Sequence, residues 1–270
     1  MAKFREGGVA KILLFYDKPV PLNREGHRAT RIKYSSGNFN FAKSTNSIPL
    51  AGIEFAAAAR DYPIVFSGTE VNNTIPVILV GLGTDENYFV DATGQWQGAY
   101  VPAFVRRYPF VLAEKGDAQF TVCVDEAYPG FNAEDGEPLF DENGKERPFL
   151  KSTLDFLSEY QGRMKQTQVF VQRLYEWELF KPQVIQIAPG NKPRYVMQGL
   201  QVVDEQRLLG MDEAHIQTLF RSGELGWVYA HLISLGNLQR LSTRLDLRHT
   251  GATNTNKIND TKTVSDTGAA

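Results

Sequence analysis

Ala51-Gly52-Ile53-Glu54-Phe55-Ala56-Ala57-Ala58-Ala59-Arg60 is an alanine-rich helical stretch that runs straight into Asp61-Tyr62-Pro63-Ile64-Val65-Phe66. The same order returns further along, where Ala99-Tyr100-Val101-Pro102-Ala103-Phe104-Val105-Arg106-Arg107 leads into Tyr108-Pro109-Phe110-Val111-Leu112. In both, proline pushes the preceding tyrosine out of helical space, so a helix stops and an extended run starts within a residue or two. Each run then meets a polar turn and a partner strand, Thr74 to Leu82 in the first copy and Gln119 to Asp125 in the second. The chain therefore holds two units of helix, Tyr-Pro corner and hairpin, which predicts an α+β fold with a largely antiparallel sheet. The duplication has two readings, a pseudo-symmetric cleft between the copies or two edges of one antiparallel sheet with structural corners. The second is preferred, because a fold does not by itself imply a function.

Upstream, Val9 to Tyr16 reads as a strand, Pro19, Pro21 and Asn23 mark a loop, and His27 to Lys33 alternates as an exposed strand does. A turn at Ser35-Ser36-Gly37-Asn38 precedes two aromatics at period two, Phe39 and Phe41. Downstream, Ala127 to Arg147 is rich in acid, proline and glycine, and Pro129-Gly130, Asp135-Gly136 and Asn143-Gly144 signal turns. A long irregular loop of this kind suits a lid, a binding loop or a partner surface.

The spacing predicts one long helix from Pro148 to about Leu179, with Leu150, Leu157, Met164 and Val171 one heptad apart and Leu154, Tyr160 and Leu174 widening the stripe. Such a stripe packs a helix on a sheet. A hairpin follows, from Val184 through the turn Pro189-Gly190-Asn191 to Val203, and Asp204, Asp212 and Ser222 offer N-caps for successive C-terminal helices. The last of these carries Trp227, Tyr229 and His231 and loosens at Gly236-Asn237. Residues 1–247 read as one domain, and 248–270, dominated by Thr, Asn, Asp, Gly and Ser, as a disordered tail.

Hydrophobic residues make up 42% of the 270 positions and charged residues 22%, enough apolar material for a sizeable core. The net charge is −2 with Lys and Arg scattered, which argues against nucleic acid as a partner, because phosphate binding needs a basic stripe. Cys123 stands alone in a strand-like run, so neither an intrachain disulfide nor a cysteine-rich metal site is expected. The N-terminal apolar run is too short and too interrupted for a secretory signal, and no later run approaches the roughly 18 residues of a membrane span. The expected location is the cytoplasm.

Reactive constellations are sparse. Gly81-Leu82-Gly83-Thr84 lacks the third glycine of a dinucleotide fingerprint and sits beside Asp85-Glu86, so it reads as a turn. Asp141 to Glu146 gathers oxygen ligands, but its glycine and distal glutamate are out of register for an EF-hand, which leaves a solvated turn. The histidines His27, His215, His231 and His249 never fall at helical metal-site spacing; His231 is the one candidate general base, with a core histidine the preferred reading. Asp91, Asp125 and Glu126, at the ends of the repeated hairpins, would form a carboxylate pair only if the fold joined them. No cofactor and no metal is expected.

One set of segments resembles a known family. Val20-Pro21-Leu22-Asn23 with His27 and Arg28, Asp61 to Phe66, Phe89-Val90-Asp91 with Gly94-Gln95-Trp96, Ala99 to Ala103, Arg106 to Phe110, Gly136 to Asp141 and Tyr229 to Asn237 stand in the order found in the SapC family of bacterial proteins. The family takes its name from a surface-layer association, and some members are labelled transporter components, a label that a chain with no membrane span does not fit. The resemblance also implies a setting near TonB-dependent receptors and tryptophan halogenase-like proteins, and it carries over no catalytic residue.

The function expected on these grounds is a non-catalytic accessory protein that binds a protein or peptide, with Tyr62, Tyr108, Trp96, Arg106, Arg107, His231 and Phe140 as the candidate binding residues. The alternatives are an enzyme of unknown type with a site between the two units, using Tyr62, Tyr108, Arg106, Arg107 and His231, and a structural component of a surface layer. A homodimer through the last helix is a further reading, although Leu225, Val228, Leu232 and Leu235 would serve a core equally well.

Overall fold

The structure, a computed structural model, describes residues 13–34, 37–114, 120–187 and 195–246. In chain order the elements are β1 (Pro19–Pro21), β2 (Arg31–Ile32), a 3-10 turn (Asn40–Ala42), β3 (Ser47–Pro49), a second 3-10 turn (Gly52–Glu54), α1 (Phe55–Ala58), β4 (Ile64–Ser67) and β5 (Ile75–Leu79). The second unit supplies α2 (Ala103–Arg106), β6 (Phe110–Glu114) and β7 (Phe120–Asp125), followed by β8 (Phe131–Asn132) and β9 (Glu137–Pro138). Then come α3 (Pro148–Glu176), β10 (Phe180–Ile187), β11 (Tyr195–Val203), α4 (Glu205–Leu209), α5 (Glu213–Ser222), α6 (Glu224–Ser234) and α7 (237–246).

The architecture is α+β with antiparallel strand pairing, a long helix and C-terminal helices. Both units fold as read, a short helix breaking at Tyr-Pro into a hairpin, and the Tyr108–Pro109 bond is cis. The two hairpins belong to different sheets. β4 and β5 sit inside a five-stranded sheet ordered β10-β11-β4-β5-β3, while β6 and β7 join β1 in a three-stranded sheet. They are therefore not two edges of one sheet, because long β11 takes the free edge of β4 and β1 takes that of β7.

Several local expectations change. The stretch from His27 to Lys33 is turn or irregular apart from β2, whose Ile32 is 1% exposed and belongs to a core. The loop from Ala127 to Arg147 is not irregular throughout, since β8 and β9 clamp β2 from both sides and Phe140 bridges to Glu146. Residues 13–16 are turn or irregular, and the rest of the first strand reading lies outside the described residues, as do the turn before Tyr195 and the tail from 248. Asp204 and Asp212 do cap α4 and α5, accepting from Gln206 N and His215 N, while α6 starts on Gly223 rather than Ser222.

Two apolar clusters result. The larger takes β4, β5, β11, α1 and α6, with Phe55, Phe66 and Phe170 at its centre; the smaller gathers Ile32, Phe110, Val124, Leu139, Phe140, Leu150 and Leu157. Helix α3 serves both, giving Leu150 and Leu157 to the smaller and Tyr160, Phe170, Val171 and Leu174 to the larger. Its position places one continuous surface against the helices of both units.

Candidate functional site

Glu54 is where the two units meet. It ends the 3-10 turn that opens the first unit, and its Oε2 accepts from Ala51 N at 3.0 Å, half of a capping box whose other half is missing because Ala51 has no side-chain acceptor. Its Oε1 reaches across to the second unit and accepts from Ala103 N at 2.7 Å and from the Tyr100 hydroxyl at 2.6 Å. Ala103 is the first residue of α2, behind Pro102, which also has no acceptor to cap it. One carboxylate thus satisfies amides at the start of both helices, and burial of Glu54 to 6% exposure is tolerable because three hydrogen bonds meet its charge.

Against this joint α3 lays Phe156, Glu159, Tyr160 and Arg163, a spacing that puts all four on one helical face. With Ile53, Ala57, Tyr100, Ala103 and Arg106 from the two units they enclose a cleft of about 350 Å³, at the small end of ligand-sized cavities. Its charges balance, Glu54 and Glu159 against Arg106 and Arg163. Arg106 donates from Nε to Val101 O at 3.0 Å and carries its guanidinium over the Phe156 ring at 5.2 Å. Arg163 reaches Glu159 and Gln166 at 3.4 and 3.3 Å, long enough to leave most of its donor capacity to solvent. Burial, reinforced by the bond to Glu54, pushes the Tyr100 phenol up to about 12, and burial, with the charge of Glu54 adding to it, pushes Tyr160 well above the usual tyrosine range. Both are neutral hydroxyls at physiological pH.

The SapC family model matches residues 22–241, most of the chain. The chain belongs to the SapC family. No curated protein and no solved structure matches it. No helix among the described residues of this SapC protein is long and apolar enough to cross a membrane, and no group of three or more metal-ligating side chains occurs among them.

Of the seven residues picked from the sequence, Arg106 lines the cleft and three others support it. Tyr62, fully buried, accepts from Trp96 Nε1 at 2.8 Å and donates to Tyr100 O, so Tyr62 and Trp96 hold the loop that delivers Tyr100. Arg107 stacks on Phe104 at 3.8 Å and approaches the Tyr160 ring at 5.5 Å from behind; its Nε is buried without a hydrogen bond, and the aromatic rings take the place of a counter-ion. Tyr108 stacks on Phe41 at 4.1 Å and donates to buried Asp125 at 3.1 Å, outside the cleft. Phe140 belongs to the smaller core.

His231 is also remote from the cleft. Its Nδ1 donates to Ile64 O at 2.9 Å and its Nε2 accepts from Val203 N at 3.1 Å, which fixes one neutral tautomer between β4 and β11. Burial lowers its pKa to about 4. The carboxylate pair does not form around the cleft: Asp91 accepts from Thr93 and Gln95 in its own loop, and Asp125 accepts from Asp17 N and Lys18 N. Leu225, Val228, Leu232 and Leu235 pack on the larger core of the protomer.

The residues missed were Glu54, Tyr100, Phe156, Glu159, Tyr160 and Arg163. A signal existed for the last four, since the helical face 156, 159, 160, 163 sets two aromatics, Phe156 and Tyr160, alternately with the opposite charges Glu159 and Arg163. A second, wider depression of about 700 Å³ beside Trp177, Arg207, Met211 and His215 is lined by groups already engaged with one another, Asp212 with His215 and Arg207 with the Glu178 carbonyl, both at 2.5 Å.

Proposed function

We propose that this SapC protein is a non-catalytic accessory that binds a short peptide segment of a partner in the cleft between its two units. The observation that carries the reading is the character of the lining: an apolar wall of Ile53, Ala57 and Phe156, with Ile53 52% exposed, rimmed by Arg106, Arg163 and Glu159. Apolar anchors inside a charged rim suit recognition of a chain segment. The reactive candidates speak for the same reading: His231 is locked between strands, and Glu54 is held in place by two amides and a phenol. In the setting implied by the family, near TonB-dependent receptors and halogenase-like proteins, such a protein would present or hold a partner and leave chemistry to others.

The test is a titration of isotope-labelled protein with a mixed pentapeptide library, followed by amide shifts. Shifts at Ala57, Ala103, Arg106 and Phe156, lost in an Ile53→Asp variant whose stability stays within about 0.5 kcal/mol as for other surface changes, are the expected result. Peptide shifts confined to other faces, or turnover of a peptide, would defeat it.

A further inference from the structure

Two groups at the bottom of the cleft have capacity the fold does not use. Glu54, 6% exposed, has no Lys, Arg or His nitrogen within ion-pair distance among the described residues; dipoles alone meet its charge, from two amides and a phenol. Oε1 takes two of those bonds and Oε2 only one, which leaves a lone pair on Oε2. Tyr160, 7% exposed, makes no hydrogen bond to any described residue through its hydroxyl. The residue is buried but its hydroxyl is not a buried unpaired atom; it opens on the cleft, where it can both donate and accept. Both line the same small space.

A negative group with a spare acceptor beside an open hydroxyl suits a donor that carries positive charge, because charge-assisted bonds are the strong ones and no cation among the described residues pairs directly with this carboxylate. Three donors on a compact centre fit better than a planar fork, since Oε2 and the hydroxyl oxygen are separate acceptors. Resting on the peptide reading of the cleft, we propose that it captures the free amino terminus of a peptide, with the α-ammonium between Glu54 and Tyr160. The first side chain then lies on Ile53 and Phe156, and the carbonyls that follow face Arg106 and Arg163 at the rim. A lysine ε-ammonium offers the same charge but no adjacent carbonyl for those guanidinia, so the terminus is the better match. The volume, about 350 Å³, suits one or two residues rather than a folded surface.

The full-length chain is titrated calorimetrically with three probes: the pentapeptide amide Leu-Ala-Gly-Ala-Ser with a free amine, its N-acetylated form, and an N-acetylated form with lysine in first place. The free amine is expected to bind best, with acetylation weakening it on the order of a hundredfold, as loss of a charged hydrogen-bonded group does. The acetylated lysine probe should not recover the loss. Tyr160→Phe should weaken the free-amine probe about threefold to tenfold, the effect of one hydrogen bond, and leave melting unchanged because that hydroxyl holds nothing in the fold. Glu54→Gln should erase the preference for the free amine; if that variant does not fold, Tyr160→Phe carries the decision. Equal binding of free and acetylated probes with shifts in the cleft would overturn the inference while the peptide reading stands, and so would binding recovered by the lysine probe. No binding of any probe, with none from the wider library, would overturn both.

Discussion

His231 spends both ring nitrogens on the backbone, donating to Ile64 and accepting from Val203, and so bonds β4 and β11 from the helix that covers them. That geometry requires the neutral ring. Its folded pKa of about 4 lies below the ordinary value of 6.5, so the unfolded chain binds the proton first as pH falls. Stability from this residue is complete above about pH 6.5 and drains away between 6.5 and 4. In the part of that window above pH 5, where ordinary carboxylates stay ionised, denaturant midpoints should correspond to a loss of about 1.4 kcal/mol per pH unit, and a His231→Asn variant should show a flat profile there. A flat profile in the parent protein would mean that the ring is not held neutral. The histidine was legible as a core residue because it shares a helix with apolar neighbours, whereas nothing local marks Glu54. Two of its three partners lie in the other unit, and only folding brings Ala103 and Tyr100 to it.

At the level of elements, the helix and Tyr-Pro hairpins could be read because a proline after a tyrosine fixes a boundary locally. The small sheet of β2, β8 and β9 could not, since two-residue strands have no periodicity to show. A second repeat also escaped notice. Phe89-Val90-Asp91-Ala92-Thr93-Gly94-Gln95 and Leu139-Phe140-Asp141-Glu142-Asn143-Gly144-Lys145 form the same loop, in which the aspartate accepts from amides two and four residues on and the glycine takes a left-handed φ of 86° or 74°. Each loop leads to a proline-started helix, α2 or α3, so the two loops aim the helices that frame the cleft. The approach of the first unit to α6 is just as exacting, because a Cβ on Gly52 would come within 2.3 Å of the Trp227 ring. Gly52→Ala is expected to cost about 1–3 kcal/mol through overpacking, seen as a lower urea midpoint with altered tryptophan emission. An unchanged midpoint would show that Trp227 has room to turn.

Across the whole molecule, α3 is the common wall. Its 29 residues span about 43 Å, touching the smaller core with Leu157 and the larger with Phe170, which meets Trp227 at 5.3 Å. Leu157→Ala and Phe170→Ala should each cost about 2–5 kcal/mol by leaving cavities. Since one rigid helix belongs to both cores, each variant should still unfold in one transition, with helix signal and aromatic signal lost together. Two separated transitions would show the halves to be independent. The apolar spacing announced this helix but not its double duty, because a stripe records that a face is buried and not what lies on each part of it. The Glu54 joint has a further implication: any molecule seated in the cleft must grip walls supplied by both copies of the duplicated unit. Occupancy and the mutual alignment of the copies are then linked quantities, and a guest that prefers the aligned form acts as a clasp on the molecule that holds it.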